Sequence, residues 1–294
     1  MSAPVLLADR APAKVNLTLR VLARRSDGYH ELESLVVFAA FGDRLSFSRG
    51  GDLALTVRGP SAAAAGEGGD NLVQKAARAL AARRPGLVLG VFDLDKRLPV
   101  AAGLGGGSSD AAAALRLLAE ANGIPRDDAD LYAAARATGA DVPVCLDPHP
   151  RIMRGIGERL SAPLALPPLP AVLVNPGVAL PTKAVFAGWK PSPAAPATPL
   201  DEATLKKLTG APELVRLLAE QTNDLEPPAI ALQPSVAVAL AALRERPGCM
   251  LARMSGSGAT CFGLFGTTDE AAAAEKALSD RQPKWWVKAT ALGG

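Results

Sequence analysis

Aromatic side chains make up only 4% of this 294-residue chain, which also has just three cysteines and two histidines. Cys145, Cys249 and Cys261 lie far apart, without C-x-x-C spacing and in apolar surroundings. Buried, reduced thiols are expected, as in a reducing compartment. Long apolar runs are missing too, so no segment reads as membrane-spanning. Met1 to Pro12 carries Asp9 and lacks the basic-then-apolar pattern of a secretory signal. A cytoplasmic protein with no membrane partner is the expectation. Charge of one sign is equally scarce. The net charge is +3 with Lys and Arg scattered, too little for a nucleic-acid footprint, so Arg24-Arg25 and Arg83-Arg84 read as solvated surface. There is no Walker A lysine after a glycine loop and no G-x-S-x-G elbow, which disfavours P-loop and serine-hydrolase readings.

What is present is ordinary globular composition, 49% hydrophobic and 21% charged, in a chain long enough for two domains or one large one. One stretch stands apart. Leu98-Pro99-Val100-Ala101-Ala102-Gly103-Leu104-Gly105-Gly106-Gly107-Ser108-Ser109-Asp110 runs directly into the alanine-rich Ala111 to Leu118. Glycines let successive backbone amides turn towards one point without Cβ atoms holding a ligand away. The helix that follows adds unpaired donors and the positive end of its dipole. Such a cradle suits a polyphosphate, although a helix N-cap after a tight turn has the same composition. The apolar Leu87 to Phe92 ahead of it completes a strand, loop and helix in order. Ser108 stands where G-x-G-x-x-G needs its third glycine, so a dinucleotide fold is disfavoured.

Elsewhere, Val15 to Val21 alternates apolar and polar as a half-buried strand does. Leu35 to Phe38, Arg44 to Phe47 and Leu53 to Val57 read as further strands, separated by Gly-Asp and Gly-Gly turns. Asp70-Asn71 caps a helix from about Leu72 to Arg83, and Pro125 to Asp128 starts another that runs to Thr138. Pro163 to Pro170 marks a seam, and Pro191 to Pro199 reads as an exposed, extended proline-alanine loop. Ala171 to Val174 reads as a buried strand, with helices near Glu213 to Gln221 and Ser235 to Arg246. Cys249 to Met254, Ser255 to Thr260 and Cys261 to Phe265 read as strand, tight turn and strand. A helix from Asp269 to Leu278 and a strand from Trp285 to Ala289 close the chain. Strands and helices mix without strict alternation, which predicts the α+β class.

Three motifs stand together in order: Pro12-Ala13-Lys14-Val15-Asn16-Leu17, the glycine loop, and Ser255-Gly256-Ser257-Gly258-Ala259-Thr260. The combination, with Arg25-Ser26-Asp27-Gly28-Tyr29-His30, Gly139-Ala140-Asp141-Val142-Pro143 and Asn175-Pro176-Gly177, spans nearly the whole chain. It resembles the GHMP kinases, the small-molecule kinases of galactose, homoserine, mevalonate and phosphomevalonate. The resemblance implies a GHMP kinase fold with a ribosomal-protein-like N-terminal domain over residues 1–165. A ferredoxin-like C-terminal domain would cover 166–294, with the active site in the cleft between the two. It implies ATP-dependent transfer of the γ-phosphoryl group to an alcohol, with Mg²⁺ bridging the triphosphate. Asp27-Gly28-Tyr29-His30 points within the family to an acceptor carrying a cytidyl diphosphate on a methylerythritol unit, in isoprenoid precursor synthesis.

By motif, Lys14 and Asp141 match the catalytic pair. Asp141 would accept the hydroxyl proton late and act largely by positioning, since a carboxylate near pKa ~3.9 is a weak base for an alcohol. Pro99, Val100, Ala101, Ala102, Gly103, Leu104, Gly105, Gly106, Gly107, Ser108 and Ser109 would wrap the triphosphate, with Ser108 or Ser109 towards the metal. Asn71 and Lys96 match positions near the adenine, or else a helix cap and a solvated strand end. Tyr29 and Phe186 would stack on the cytosine with His30 on its polar edge, and Asn16 and Thr182 would lie near the substrate. After Asp141-Val142-Pro143 the family's glycine-rich turn is replaced by Leu146-Asp147-Pro148-His149-Pro150-Arg151. Another GHMP kinase, of homoserine or mevalonate type, or a non-catalytic nucleotide-binding protein on the same fold, remains an alternative. A monomer or weak homodimer is expected.

Overall fold

The computed structural model describes residues 6–66, 70–191, 200, 202–208 and 210–293. In chain order the elements begin with β1 (Leu6–Asn16), β2 (Arg20–Arg24), β3 (His30–Arg49), β4 (Ala54–Arg58), α1 (Ala62–Ala65), α2 (Leu72–Ala81) and β5 (Gly90–Asp95). Next come α3 (Gly106–Ala121), α4 (Ala129–Thr138), α5 (Val142–Leu146), β6 (Arg151–Gly155), β7 (Arg159–Leu160), β8 (Leu169–Asn175) and α6 (Thr182–Gly188). The chain ends with α7 (Glu202–Lys206), α8 (Ala211–Ala219), α9 (Glu226–Leu232), α10 (Ser235–Arg244), β9 (Cys249–Met254), β10 (Cys261–Phe265), α11 (Thr268–Arg281) and β11 (Trp286–Leu292). The architecture is α+β, as the mixed pattern predicts. Of the proline-alanine loop, 192–199 lie outside the described residues. Among the described residues, no helix is long and apolar enough to cross a membrane.

The chain divides into two compact units. One comprises Met1–Ala13, Gly42–Val100 and Gly105–Pro148; the other Lys14–Phe41, Ala101–Leu104 and His149–Gly294. In the first, β4 pairs parallel to β5, and β5 pairs antiparallel to Arg44–Arg49 of β3. Its helices centre on α3, whose Ala111 to Leu115 are completely buried. Alanine lets α2, α4 and α5 approach that helix closely, so a low-aromatic composition still makes a dense core. Arg116 in mid-helix is satisfied by Asp9 and by the carbonyls of Arg10 and Cys145 at 2.6–2.8 Å. In the second unit β11, β8, β10 and β9 form an antiparallel run. Val172, Val174, Leu240, Leu243, Phe265 and Leu278 build its core with α10 and α11.

Two local expectations need correction. Gly42-Asp43 does not break the strand: β3 runs through it for 20 residues. A Cβ at Gly42 would strike the backbone of Ala11 and Pro12, so that glycine serves close backbone approach rather than a turn. Conversely, Val15 to Val21 is interrupted. Leu17 N donates to Leu35 O at 2.8 Å and Leu19 N to Thr222 O at 3.0 Å, and this change of partner ends one strand before the next begins. Cys145 and Cys261 are buried free thiols, whereas Cys249 is only half-buried.

Candidate active site

The glycine loop leads into α3 through three residues of positive φ: Ala101 at 53°, Gly103 at 75° and Gly105 at 59°. Gly105 is the N-cap of α3, in the left-handed region. The first intrahelical bond runs from Ser109 N to Gly105 O at 2.8 Å. The amides of Gly106, Gly107 and Ser108 therefore precede the helical ladder, the arrangement that receives anions. Ser108 is half-buried, but Ser109 turns inward, its hydroxyl donating to Pro12 O at 2.7 Å.

The apex of the loop, within the second unit, is fastened to both other motifs. Lys14 N donates to Leu104 O at 2.8 Å and Thr260 N to Ala102 O at 3.1 Å. Ser255 Oγ donates to Gly103 O at 3.0 Å and accepts from Asn16 N at 3.1 Å. A Cβ on Gly103 would lie 2.6 Å from Ser255 O, which is why glycine is needed there. The Ser255–Thr260 turn uses two of its own amides internally: Ser255 N donates to Thr260 O and Gly258 N to Ser255 O. Those amides are therefore not free to meet a ligand. Asn223 Nδ2 cradles the same turn through Met254 O and Gly256 O, both at 2.8 Å.

Lys14 lies near the end of β1 with its side chain buried. Asn16 Nδ2 donates to Ser34 Oγ at 2.7 Å. Thr182 Oγ1 lies 2.8 Å from Ser257 Oγ, and Phe186 follows one turn later on the same face of α6. Phe186 stacks on His30 with centroids 4.9 Å apart, while Trp189 meets the same imidazole edge-on at 5.7 Å. Burial, with some help from Arg24, lowers the His30 pKa, so the ring is neutral near pH 7. Tyr29 sits on the turn before it, 59% exposed. Asp27 braces that turn, accepting from Tyr29 N at 3.1 Å and pairing with Arg25. Asn16, Ser255, Ser257, Thr182, Phe186 and His30 thus form one linked series from the loop apex to an aromatic group.

In the first unit, Asp141 is the N-cap of α5 and half-buried. Asn71 caps α2, accepting from Val73 N at 3.0 Å. Lys96 is buried with its ammonium on Asp43 and Asp110. Sequence reasoning had not singled out Asp43, Asn223 or Trp189. Asp43 had been absorbed into a supposed turn, and the others carry no motif. Among the described residues, no group of three or more His, Cys, Asp or Glu could hold a metal ion.

The profile of the GHMP kinases N terminal domain matches residues 71–147, and that of the GHMP kinases C terminal domain matches 202–284. A 4-diphosphocytidyl-2-C-methyl-D-erythritol kinase of Methylobacterium radiotolerans is 58% identical over 98% of this chain and 99% of its own length. A crystal structure of 4-(cytidine 5'-diphospho)-2C-methyl-D-erythritol kinase superposes with TM-score 0.76 at 37% identity, covering 98% of this chain and 100% of that one. A homoserine kinase from Cytophaga hutchinsonii reaches TM-score 0.71 at 19% identity, covering 99% and 96%, a likeness of fold.

Proposed function

The chain belongs to the GHMP kinase family, and from that premise we propose how its residues divide the work of phosphoryl transfer. It is an ATP-dependent kinase of small molecules that phosphorylates the 2-hydroxyl of 4-diphosphocytidyl-2-C-methyl-D-erythritol, a step of the non-mevalonate route to isoprenoid precursors. The new bond joins the acceptor oxygen to the γ-phosphorus. The bond to the β,γ-bridging oxygen breaks, and ADP leaves. Such a loose transition state needs alignment and charge neutralisation more than covalent help.

Asp141 receives the proton of the acceptor hydroxyl and orients it. Lys14 offsets charge on the transferring oxygens. The segment Pro99–Ser108 wraps the triphosphate with its amides, and Asn71 stands at the adenine end. Mg²⁺ would neutralise phosphate charge here, and the Ser108 hydroxyl would be the side chain of this loop that could help hold it. Tyr29 and Phe186 sandwich the cytosine, neutral His30 reads its polar edge, and Asn16 and Thr182 flank the rest of the substrate. We place the enzyme in the cytoplasm as a monomer or weak homodimer.

The observation that carries this reading is the fastening of the loop apex to the Lys14 strand and to Ser255, which joins three separate sequence motifs. The deciding experiment incubates the protein with ATP, Mg²⁺ and the cytidyl substrate and looks for the 2-phosphate. Homoserine or mevalonate phosphorylated in preference would overturn it. Replacing Asp141 by Asn should cut kcat by roughly 10²–10⁴-fold and leave ATP affinity within about twofold. Retained wild-type kcat in that variant removes Asp141 from the mechanism.

A further inference from the structure

The root of the glycine loop is held by a buried charge cluster that phosphate chemistry alone does not require. Asp43, in mid-β3, accepts from the amides of Arg97 at 2.6 Å and Leu98 at 2.8 Å, the residues that lead into the loop. Asp110 stands in α3, just beyond the loop's far end. Lys96 joins them, its ammonium donating to Asp43 Oδ2 and to Asp110 Oδ2 at 2.5 Å each. None of the three side chains is more than 4% exposed. A Cβ on Gly106 would lie 3.1 Å from Lys96 Nζ, so the ammonium sits under the first residue of α3.

Stability is a poor explanation for this cluster. Two acidic side chains and an ammonium taken out of water lose their hydration, and apolar residues of equal volume commonly stabilise as well or better. What an apolar cluster cannot do is fix direction, because dispersion contacts slide whereas a charged hydrogen bond aims. Here the aimed bonds tie the strand-side foot of the loop to its helix-side foot.

We propose that Lys96, Asp43 and Asp110 are positioning residues that hold the two feet of the loop at the separation where the Gly106–Ser108 amides converge on the triphosphate. Lys96 contributes through this brace and not by touching the adenine. The ligand's identity rests on the kinase reading, but the brace itself does not.

With the titrations run at pH 9, where Asp110 is ionised, Asp110→Asn keeps shape while weakening the link to Lys96. The double variant Lys96→Met with Asp110→Leu removes the link to α3 and leaves Asp43 its hydrogen bonds from the Arg97 and Leu98 amides. Calorimetric titration with ATP, and separately with inorganic tripolyphosphate, should show about tenfold weaker binding of both ligands in each folded variant. KM for the cytidyl substrate should stay within about twofold, with unchanged circular dichroism. Should the double variant not fold, Asp110→Asn carries the test alone. Weakened ATP binding with tripolyphosphate spared would place Lys96 on the adenine and overturn the proposal. So would unchanged ATP affinity, or equal losses for both substrates. A wild-type protein that binds both phosphates yet phosphorylates no cytidyl substrate would sink the kinase reading and leave the brace standing.

Discussion

Tyr29 shows what a single residue can be asked to do. A large ring left 59% exposed on a turn braced by Asp27 has surface to cover and a defined position from which to cover it. Stacking on a base is worth roughly 1–3 kcal/mol, so Tyr29→Ala should raise KM for the cytidyl substrate about 5- to 150-fold, with KM for ATP nearly unchanged. Equal effects on both substrates would remove Tyr29 from the base site. The pairing of Tyr29 with His30 was legible because tyrosine and histidine are so rare in this chain. Trp189 was not, since its contact with His30 depends on α6 ending where it does. Ser108 and Ser109 look alike as neighbouring hydroxyls, but the turn of the helix sends Ser109 towards Pro12.

At the scale of the element, the glycine loop was readable by density, while the task of each glycine was not. Gly103 combines a φ of 75° with backbone 2.6 Å from any Cβ, whereas Gly50 has a φ of 101° and open space. Alanine at Gly50 should therefore cost about 1–2 kcal/mol for its left-handed backbone alone. Alanine at Gly103 should cost more and also weaken ATP binding, because Ser255 and the loop apex must separate. Thermal denaturation of the two variants, read beside ATP titration, checks this; equal losses of stability with ATP affinity intact would refute it. The long strand β3 carries the same lesson. Gly42-Asp43 has the composition of a turn, but the glycine admits the backbone of Ala11 and Pro12, and the aspartate receives two amides.

For the molecule as a whole, the buried cluster sets a pH dependence. Burial, and then the neighbouring Asp43, push the Asp110 carboxyl from 3.8 up to about 8 despite Lys96. Between those values the native protein holds a proton that the unfolded chain has released, so stability falls as pH rises through the window and flattens above it. The Lys96 shift is upward too, its partners outweighing desolvation, so its contribution is present below pH 10.5 and is lost as pH rises through the raised value. Lowered carboxyls such as Asp27 and Asp128 act oppositely. They contribute above 3.8 and lose that as pH falls through their folded values, and Asp27, exposed to solvent, contributes little. Melting temperature measured from pH 5 to 9 should decline towards pH 8, and Asp110→Asn should flatten that slope. An unchanged slope in the variant would assign it elsewhere.

Membership in the kinase family, the α+β class and the order of the three motifs were all written in the chain. The class rests on apolar periodicity and capping residues, and the family on the likeness of those motifs in their order. Only the folded molecule decided which residues those motifs would meet. Ser255 finds Asn16 and Gly103 across long stretches of sequence, and Lys96 finds Asp43 and Asp110. The chain also changes unit five times, at Ala13/Lys14, Phe41/Gly42, Val100/Ala101, Leu104/Gly105 and Pro148/His149. Long-range hydrogen bonds leave no periodicity behind, because either partner alone is an ordinary polar residue, and geometry supplies the other.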